Sequence, residues 1–401
     1  MKDFVDYIVG DCTESARLLN GVVYNANQRG RITDVAALAL KAKTLLYAAS
    51  PLFNTDEPYL PTDHPELVCY GDKNKQRWAD AASAALAAIN AADAYGFKLL
   101  DNDDPEHDYR KIWETYDNNE IILAEKFSGP TGNWSQPWAY ILPAGLGMNG
   151  WAGNAVCVPH NFIRKYEKMN GEPQTWNAPG VVGHDLMEKY AELDPRFRQT
   201  VAYNGSSWNH LYPDMELYVG AKGSSPNPNA NITGAMMHKL IPYDMSNTTN
   251  YQMVPNGILF RVGELYLDYA EALNESLAVP SKEVYDAVNV IRDRAGMPDL
   301  PSGLSQIEMR KRIKNERDIE LAFEDHRFWD IRRWMDAEED GVMQGAFYKV
   351  TITRKSGAGL NQKCDYVIST FENRSFNRNM YLHPIFENEV NKGYLIQNPG
   401  W

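Results

Sequence analysis

The apolar residues of the N-terminal quarter recur at the three- and four-residue spacing of amphipathic helices. Residues 1–20 form the first such run, residues 34–49 the second, and a third starts at Lys75. Thr33 or Asp34 can cap the second run, and Pro51 ends it. Because this run is rich in alanine and leucine almost all round, we expect its helix to be buried between neighbours.

Two more helices are predicted later in the chain, from Leu259 to Asn274 and from Ser281 to Ala295. With their turn they span about 34 residues, which is the period of a tetratricopeptide repeat. Any helical hairpin of this size would have the same length. The period alone therefore leaves a true repeat and a simple hairpin both open.

Residues 97–257 have a different pattern, because prolines, glycines and asparagines recur every few positions. Short strands are predicted in the run that starts at Asn119 and from Ala139 to Leu142, and one helix from Phe162 to Met169. This stretch has too many large apolar residues for a disordered linker, so we interpret it as an ordered, loop-rich insertion.

The C-terminal part is predicted to form a hairpin from Phe347 to Ser369 and an ordered strap from Met380 to Trp401. We interpret the chain as a single unit that does not split into independent domains. Its parts are N-terminal helical pairs (1–96), a loop-rich lobe (97–257), C-terminal helical pairs (258–340), and the hairpin with the strap (341–401).

Charged residues interrupt the apolar face of the helix predicted after Ser305. An arc of roughly 140° on this helix carries carboxylates, a guanidinium and apolar side chains together, where a solvated face would be purely polar. The residues of this arc are Ile313, Glu316, Arg317, Glu320, Leu321 and Glu324. Arg312, Arg317 and Arg327 lie at the spacings that would place cations between the carboxylates. We therefore predict a buried ion network of Glu316, Arg317, Glu320, Glu324 and Arg327, with Ser305 and Glu308 as a capping box.

Several segments of this C-terminal half resemble the SusD/RagB family, the surface glycan-binding lipoproteins of Bacteroidetes. The similar segments are NERDIELAFEDHRFWDIRRW from Asn315, RVGELYLDYAEALNE from Arg261, VYDAVNVIRDRAGMP from Val284, and the closing YLHPIFENEV with NPGW. The resemblance implies a mainly α-helical fold, a tetratricopeptide-like superhelix with an aromatic, loop-rich insertion and few short strands.

The resemblance also implies a function and a place in the cell. Members of the family bind a glycan on an aromatic surface and sit as a lid on a SusC-like TonB-dependent transporter of the outer membrane. They begin with a lipoprotein signal and an acylated cysteine, and Met1 matches a point well inside that pattern. We therefore expect a truncated or shortened relative, monomeric in isolation.

Charge and cysteine content exclude several other classes of protein. The net charge of −13, from 53 acidic and 40 basic side chains, argues against nucleic acid and against an anionic membrane surface as partners. The four scattered cysteines form no CxxC or Cys/His cluster, which argues against a zinc site and against a dense disulfide framework. No basic-then-apolar pattern follows Met1 and no apolar run approaches 20 residues, so we expect neither an export signal nor a membrane span within this sequence.

Motifs for catalysis are mostly missing. Gly145, Gly147 and Gly150 fit a GxGxxG spacing, but no helical period follows them, so we expect no dinucleotide site. The acidic loop around Asp101, Asp103 and Asp104 could bind calcium through its clustered oxygens. It lacks the glycine and the terminal glutamate of an EF-hand, so we favour a solvated loop without a bound ion. The carboxylates of the predicted ion network could serve a glycosidase, but their pairing with arginine favours a structural role. We expect no enzyme and no required cofactor.

Aromatic residues in the loop-rich lobe are the best candidates for ligand binding. A sugar ring stacks on an exposed indole or phenol while amides and charges bind its hydroxyls. The predicted ligand-binding residues are Trp208, Tyr212, Trp134, Trp138 and Asn209. The alternative is that these rings fill small cores under long loops. Three functions remain open: a non-catalytic glycan-binding subunit of an uptake complex, a tetratricopeptide scaffold for peptides or proteins, and a glycoside hydrolase.

Overall fold

Helices from both ends of the chain pack against one another in the computed structural model. It describes residues 1–28, 30–126, 156–210, 212–221, 232–241, 243 and 256–401. The longer helices are α1 (Lys2–Leu19), α2 (Asp34–Ala49), α3 (Gln76–Ala94), α8 (Val262–Ser276), α9 (Lys282–Arg294) and α10 (Gln306–Glu320). The shorter ones are α4 (Asp108–Glu114), α5 (His160–Ile163), α6 (Leu186–Ala191), α7 (Pro195–Thr200), α11 (Arg327–Arg333) and α12 (Glu387–Val390).

Helix α2 lies at the centre of the N-terminal helices, as its composition predicts. The Thr33 hydroxyl accepts a hydrogen bond from the Ala36 N–H, and this cap satisfies one of the free donors of the first turn. Small buried side chains such as Ala39 and Ala42 allow close contact with α1 and α3. Helix α3 also packs on α8, so residues from opposite ends of the chain share one core.

The C-terminal helices form the hairpin that the 34-residue period indicates. Helix α8 packs on both α9 and α10, and Ala270, Val288 and Ile313 of the three helices meet in one apolar cluster. The predicted capping box at the start of α10 is present, with Ser305 and Glu308 bonding each other's backbone N–H groups. The predicted fold class, mainly α with few short strands, is confirmed.

Three small antiparallel sheets accompany the helices among the described residues. The strands are β1 (Ile121–Lys126), β2 (Val182–Gly183), β3 (Val201–Tyr203), β4 (Ala235–Met237), β5 (Asn256–Arg261), β6 (Gly345–Ser356) and β7 (Lys363–Arg374). Strand β1 pairs with β5, β3 with β4, and β7 lies between β2 and β6. The β6–β7 hairpin covers the stretch in which the sequence predicts one. The strand predicted from Ala139 to Leu142 lies outside the described residues.

The helix predicted from Phe162 to Met169 is wrong, because α5 ends at Ile163. Beyond that point the backbone pairs with other segments instead of continuing a helix. The Met169 N–H donates to the Glu192 carbonyl, and the Glu167 carbonyl accepts from the Asp194 N–H. These long-range partners outweigh the weak local preference for a helix.

None of the helices among the described residues combines the length and the apolar composition that a bilayer crossing requires.

Candidate functional site

The three carboxylates singled out in the sequence lie in a buried ion network at the end of α10. Glu320 is fully buried and binds three guanidiniums that come from α7, from the end of β5 and from α9. Its oxygens lie 2.9 Å from Arg196 Nη1, 2.7 Å from Arg261 Nη1 and 2.5 Å from Arg294 Nη2. Glu320 is therefore the centre of the network.

The neighbouring carboxylates complete this network. Glu316 pairs with Arg196 at 2.6 Å and with Arg292 at 3.1 Å. Glu324 accepts from the buried Lys239 ammonium at 2.5 Å and from Arg261 Nε at 2.8 Å. The side chains of Glu316 and Glu324 are 3% and 4% exposed, so both carboxylates lie in the interior beside Glu320.

The predicted cations were partly wrong. Arg317 is buried as expected, but it bonds Asp268 and Asp330 in a separate cluster beside α8 and α11. Arg312 pairs with Glu167, and Arg327 pairs with Asp318 while its side chain stays 30% exposed. The helical arc of the carboxylates faces α7, β5 and α9, so residues distant in sequence supply their partners.

Positive charge keeps Glu320 and Glu324 ionised. Burial by itself would raise the pKa of Glu320, but Arg294, Arg261 and Arg196 outweigh it and hold that pKa well below the usual value. Burial likewise opposes ionisation of Glu324, yet Arg261 and Lys239 lower its pKa to about 2. Glu320 and Glu324 are buried and ion-paired, and their lowered pKa values make them poor proton donors, which disfavours a role as a glycosidase's acid.

Trp208, the leading predicted sugar platform, is not exposed. It is 0% accessible, and its ring lies against the His238 imidazole with the ring centres 4.2 Å apart. The expectation of an exposed platform at this residue is corrected, because the loop that carries it folds inward over His238.

Asn209 and Tyr212 form the turn that follows Trp208. The Tyr212 N–H donates to the Asn209 carbonyl, and the Trp208 N–H donates to the Tyr212 carbonyl. Asn209 is buried, and its Nδ2 donates to the Tyr243 carbonyl at 2.6 Å. Tyr212 is half-buried, and its role in ligand binding stays a prediction. Trp134 and Trp138 lie outside the described residues, as does the GxGxxG segment.

A stack of aromatic and basic groups connects the buried Trp208 to the surface. Behind Trp208 and His238, Arg110 Nη2 lies 3.0 Å from a ring nitrogen of His238. The Arg110 guanidinium then lies under the Tyr243 ring, 4.7 Å from its centre. Burial and the Arg110 charge hold the pKa of His238 well below its usual value, so this histidine is neutral and accepts from Arg110.

Tyr243 is the end of this stack that reaches the surface, with 39% of its surface exposed. Three contacts fix its position: the ring lies on Arg110, its N–H donates to Glu114 Oε1 at 3.0 Å, and its carbonyl accepts from Asn209. A phenol ring held in this way loses little conformational freedom when a ligand stacks on it.

A concave region lies beside α5, and we call it the aromatic cleft. It has a volume of about 370 Å³ and is lined chiefly by His160, Arg164, Gln174, Trp176, Asn177 and Tyr348. The Trp176 indole and the buried His160 imidazole are nearly perpendicular, with their ring centres 4.6 Å apart. An indole, a phenol and two amides around one cleft are the groups that commonly line sugar sites.

Acid should destabilise the protein through His160. Burial, aided by Arg164, lowers its pKa from 6.5 to about 3, while the unfolded chain takes up the proton near pH 6.5. The unfolded state therefore binds more protons between these values, and stability falls as the pH falls. At pH 5 the loss should be about 2 kcal/mol.

Urea unfolding of the wild type and of His160→Phe, compared between pH 7 and pH 5, isolates this contribution. Phenylalanine can pack on Trp176 without titrating, so the variant should lose less stability in acid. Parallel pH dependence of the two proteins would show that His160 is protonated in the native state.

The acidic loop before α4 is occupied by protein partners. Asp104 binds His107 at 2.9 Å and Lys111 at 3.4 Å, and the Asp101 carboxylate accepts from the Asp103 N–H. Among the described residues, which include this loop, no group of three or more histidines, cysteines, aspartates or glutamates could hold a metal ion. A calcium site there remains only the weak expectation from the sequence.

Comparison with known sequences identifies the family. The family model of the SusD family matches residues 112–401. SusD-like protein P2 of Formosa agariphila is 40% identical over 94 residues, which make up 22% of this chain and 17% of that protein. SusD-like protein P25 of the same organism is 36% identical over 101 residues, or 24% of this chain and 19% of that protein. The matched segments thus span less than a fifth of these curated relatives.

Solved structures share the fold over nearly the whole chain. A SusD-like protein from Bacteroides fragilis has a TM-score of 0.79 at 24% identity, covering 100% of this chain and 71% of that one. A SusD-like carbohydrate-binding protein of the same species has a TM-score of 0.70 at 22% identity, covering 97% and 70%. A laminarin-binding SusD-like protein has a TM-score of 0.52 at 22% identity, covering 100% and 69%. The family match and the shared fold show that this chain belongs to the SusD family.

Proposed function

We propose that this protein is a non-catalytic glycan-binding subunit that delivers its ligand to a SusC-like TonB-dependent transporter at the outer membrane. Membership of the SusD family is the observation that carries this proposal. Two structural neighbours support the ligand class, since one is described as carbohydrate-binding and another as laminarin-binding. A surface lipoprotein is the location that fits such a role.

The surface of the lobe offers a suitable contact for a sugar. Tyr243 presents an exposed ring on a rigid support, and a fixed aromatic face can stack on the C–H face of a pyranose with little entropic cost. The ion network, by contrast, holds its carboxylates away from any substrate. Binding rather than hydrolysis is therefore the chemistry that these described residues favour.

Delivery to a transporter follows from what a binding subunit can do. A protein that only binds its ligand contributes to uptake by passing that ligand to a protein that crosses the membrane. We expect the helical side of the chain to dock on the transporter and the aromatic loops to face its opening. Co-purification with the SusC-like protein tests this step, and failure of two folded proteins to associate would leave a free-standing binding module.

Replacing Tyr243 with alanine should weaken glycan binding by about 1–3 kcal/mol, the range of an interface hot spot. The thermal unfolding midpoint should stay near that of the wild type, because the ring lies at the surface. An oligosaccharide array first selects a ligand, and calorimetric titration then compares the variants.

Tyr243→Phe is the matched control, since it keeps the ring on Arg110 and should retain most of the affinity. Equal affinity of Tyr243→Ala and the wild type would exclude this ring as the platform. The alternative functions have their own readouts: tighter binding of peptides than of oligosaccharides would favour the tetratricopeptide scaffold, and release of reducing sugar would reveal a hydrolase.

A further inference from the structure

A second cleft with an unusual charge lies between the segment after α5, the exposed face of α10 and the start of α11. We call it the basic cleft; its volume is about 520 Å³. Its cationic lining residues are Arg164, Lys165, Lys311, Arg312 and Arg327. Among the described residues, two carboxylates, those of Glu167 and Asp340, line it with them. The rest of the chain is acidic enough to give a net charge of −13, so this concentration of positive charge is a local feature.

Internal ion pairs do not neutralise the cleft. Glu167 is shared between Arg312 and Arg292, so one carboxylate serves two guanidiniums. Lys165 and Arg327 likewise share the single carboxylate of Asp318. With Asp318 included, five cations face three carboxylates, and an anion that enters the cleft meets a positive potential.

Two of the cations are available for a ligand. The Arg164 and Lys311 side chains are exposed, and neither forms a hydrogen bond or an ion pair with any residue in the described ranges. Their neighbours Lys165, Arg312 and Arg327 are held in place by their carboxylate partners. The cleft thus contains three cations held in place by carboxylates and two cations, Arg164 and Lys311, that can bind a ligand directly.

Arg164 also lines the aromatic cleft, so one guanidinium stands between the two cavities. On one side of it lie the Trp176 indole and the Tyr348 phenol. On the other side lie Lys311 and the paired cations. A ligand that has both a carbohydrate face and a negative group could use the two sides together.

We propose that the two clefts form a binding site for an acidic oligosaccharide, with its carboxylate or sulfate group on Arg164 and Lys311 and a sugar ring in the aromatic cleft. This inference rests on the proposed function and adds a ligand class to it. Guanidinium suits both anions, because its planar donors match two oxygens at once.

Concavity favours a saccharide over a protein partner. Protein interfaces are broad surfaces of roughly 800 Å² on each side, whereas sugar-sized ligands enter clefts of several hundred cubic ångströms. Nucleic acid is disfavoured because the net charge of −13 repels a dense polyanion at long range. A short acidic oligosaccharide carries only a few charges, and at physiological salt it is held mainly by the local field of the cleft.

Calorimetric titration with galacturonate oligosaccharides, with their carboxyl-reduced forms and with a sulfated neutral oligosaccharide tests the proposal. The galacturonate or the sulfated ligand should bind more tightly than the reduced form, and added salt should weaken only the charged ligand. The double variant Arg164→Ala, Lys311→Ala should lose about tenfold or more of that affinity, as expected when charge-assisted hydrogen bonds are removed. The preferred anion identifies which of the two groups the site takes.

Lys75→Ala is the control variant, because this exposed lysine lines neither cleft. Its removal also makes the net charge of the protein more negative, as the double variant does. Thermal unfolding confirms that all variants are folded. Unchanged affinity of the double variant for the charged ligand would overturn the proposal, as would equal binding of charged and reduced ligands. Tighter binding of poly-glutamate than of either charged oligosaccharide would overturn it in favour of an acidic protein partner. Neutral oligosaccharide binding that depends on Tyr243 would leave the proposed function standing in each of these cases.

Discussion

Replacing Glu320 with alanine is expected to lower the free energy of unfolding by about 3–5 kcal/mol, the usual cost of removing one partner of a buried ion pair. Three buried guanidiniums, those of Arg196, Arg261 and Arg294, would lose their shared carboxylate. Arg261 keeps Glu120 and Glu324, and Arg196 keeps Asp194, but the remaining anions cannot satisfy every donor. Urea unfolding followed by circular dichroism measures the loss.

Glu188→Ala provides the control for this prediction. Glu188 is an exposed carboxylate on α6, and its removal should change stability by no more than about 0.5 kcal/mol. If Glu320→Ala unfolded at the wild-type midpoint but no longer bound glycan, Glu320 would belong to a ligand site and the structural role would be wrong.

Replacing Trp208 with alanine should cost about 3–5 kcal/mol of stability, because a fully buried indole is removed and a cavity remains. The loss should include the contact with His238, which positions Arg110 under Tyr243. Any effect on glycan affinity should therefore accompany loss of structure. Thermal unfolding and calorimetric titration of the same preparation separate the two effects.

Trp208→Phe sharpens this test. Phenylalanine keeps an aromatic ring on His238 and removes the indole N–H, which has no hydrogen-bond partner among the described residues. A cost clearly below that of Trp208→Ala is therefore expected, because the remaining ring leaves a smaller cavity. If Trp208→Ala kept full stability and lost affinity, the indole would be an exposed platform after all.

Sequence pattern was sufficient for the longer helices because their apolar residues recur at helical spacing and two of them also carry clear capping signals. Thr33 marks the start of α2 and Ser305 the start of α10 through side chains that cap the adjacent turn. Burial of Glu320 could also be predicted, since a carboxylate in an apolar arc must face the core. Its partners could not be predicted, because Arg196 lies 124 positions away along the chain and only the fold brings them together.

The ligand-binding residues were harder to predict for a different reason. An aromatic residue in a loop can be core or platform, and no local periodicity distinguishes the two when the chain turns every few residues. Trp208 and Tyr243 lie in one stack, yet the structure buries the first and exposes the second. Arg110, on which the Tyr243 ring packs, lies in α4, 133 positions earlier in the chain. The residues next to Tyr243 in the sequence therefore could not reveal this contact.

The ion network at the end of α10 has a consequence for how this protein can diversify. Glu120 lies just before β1, Arg196 lies in α7, Lys239 follows β4 and Arg261 ends β5. All four reach Glu320 or its neighbour Glu324 directly or through a shared partner. The lobe segments are thereby fixed at their ends to one point of the helical frame. Loops between such fixed ends can change in sequence and length with a small penalty in chain entropy. New ligand specificities can therefore evolve in these loops while the frame that supports them keeps its stability.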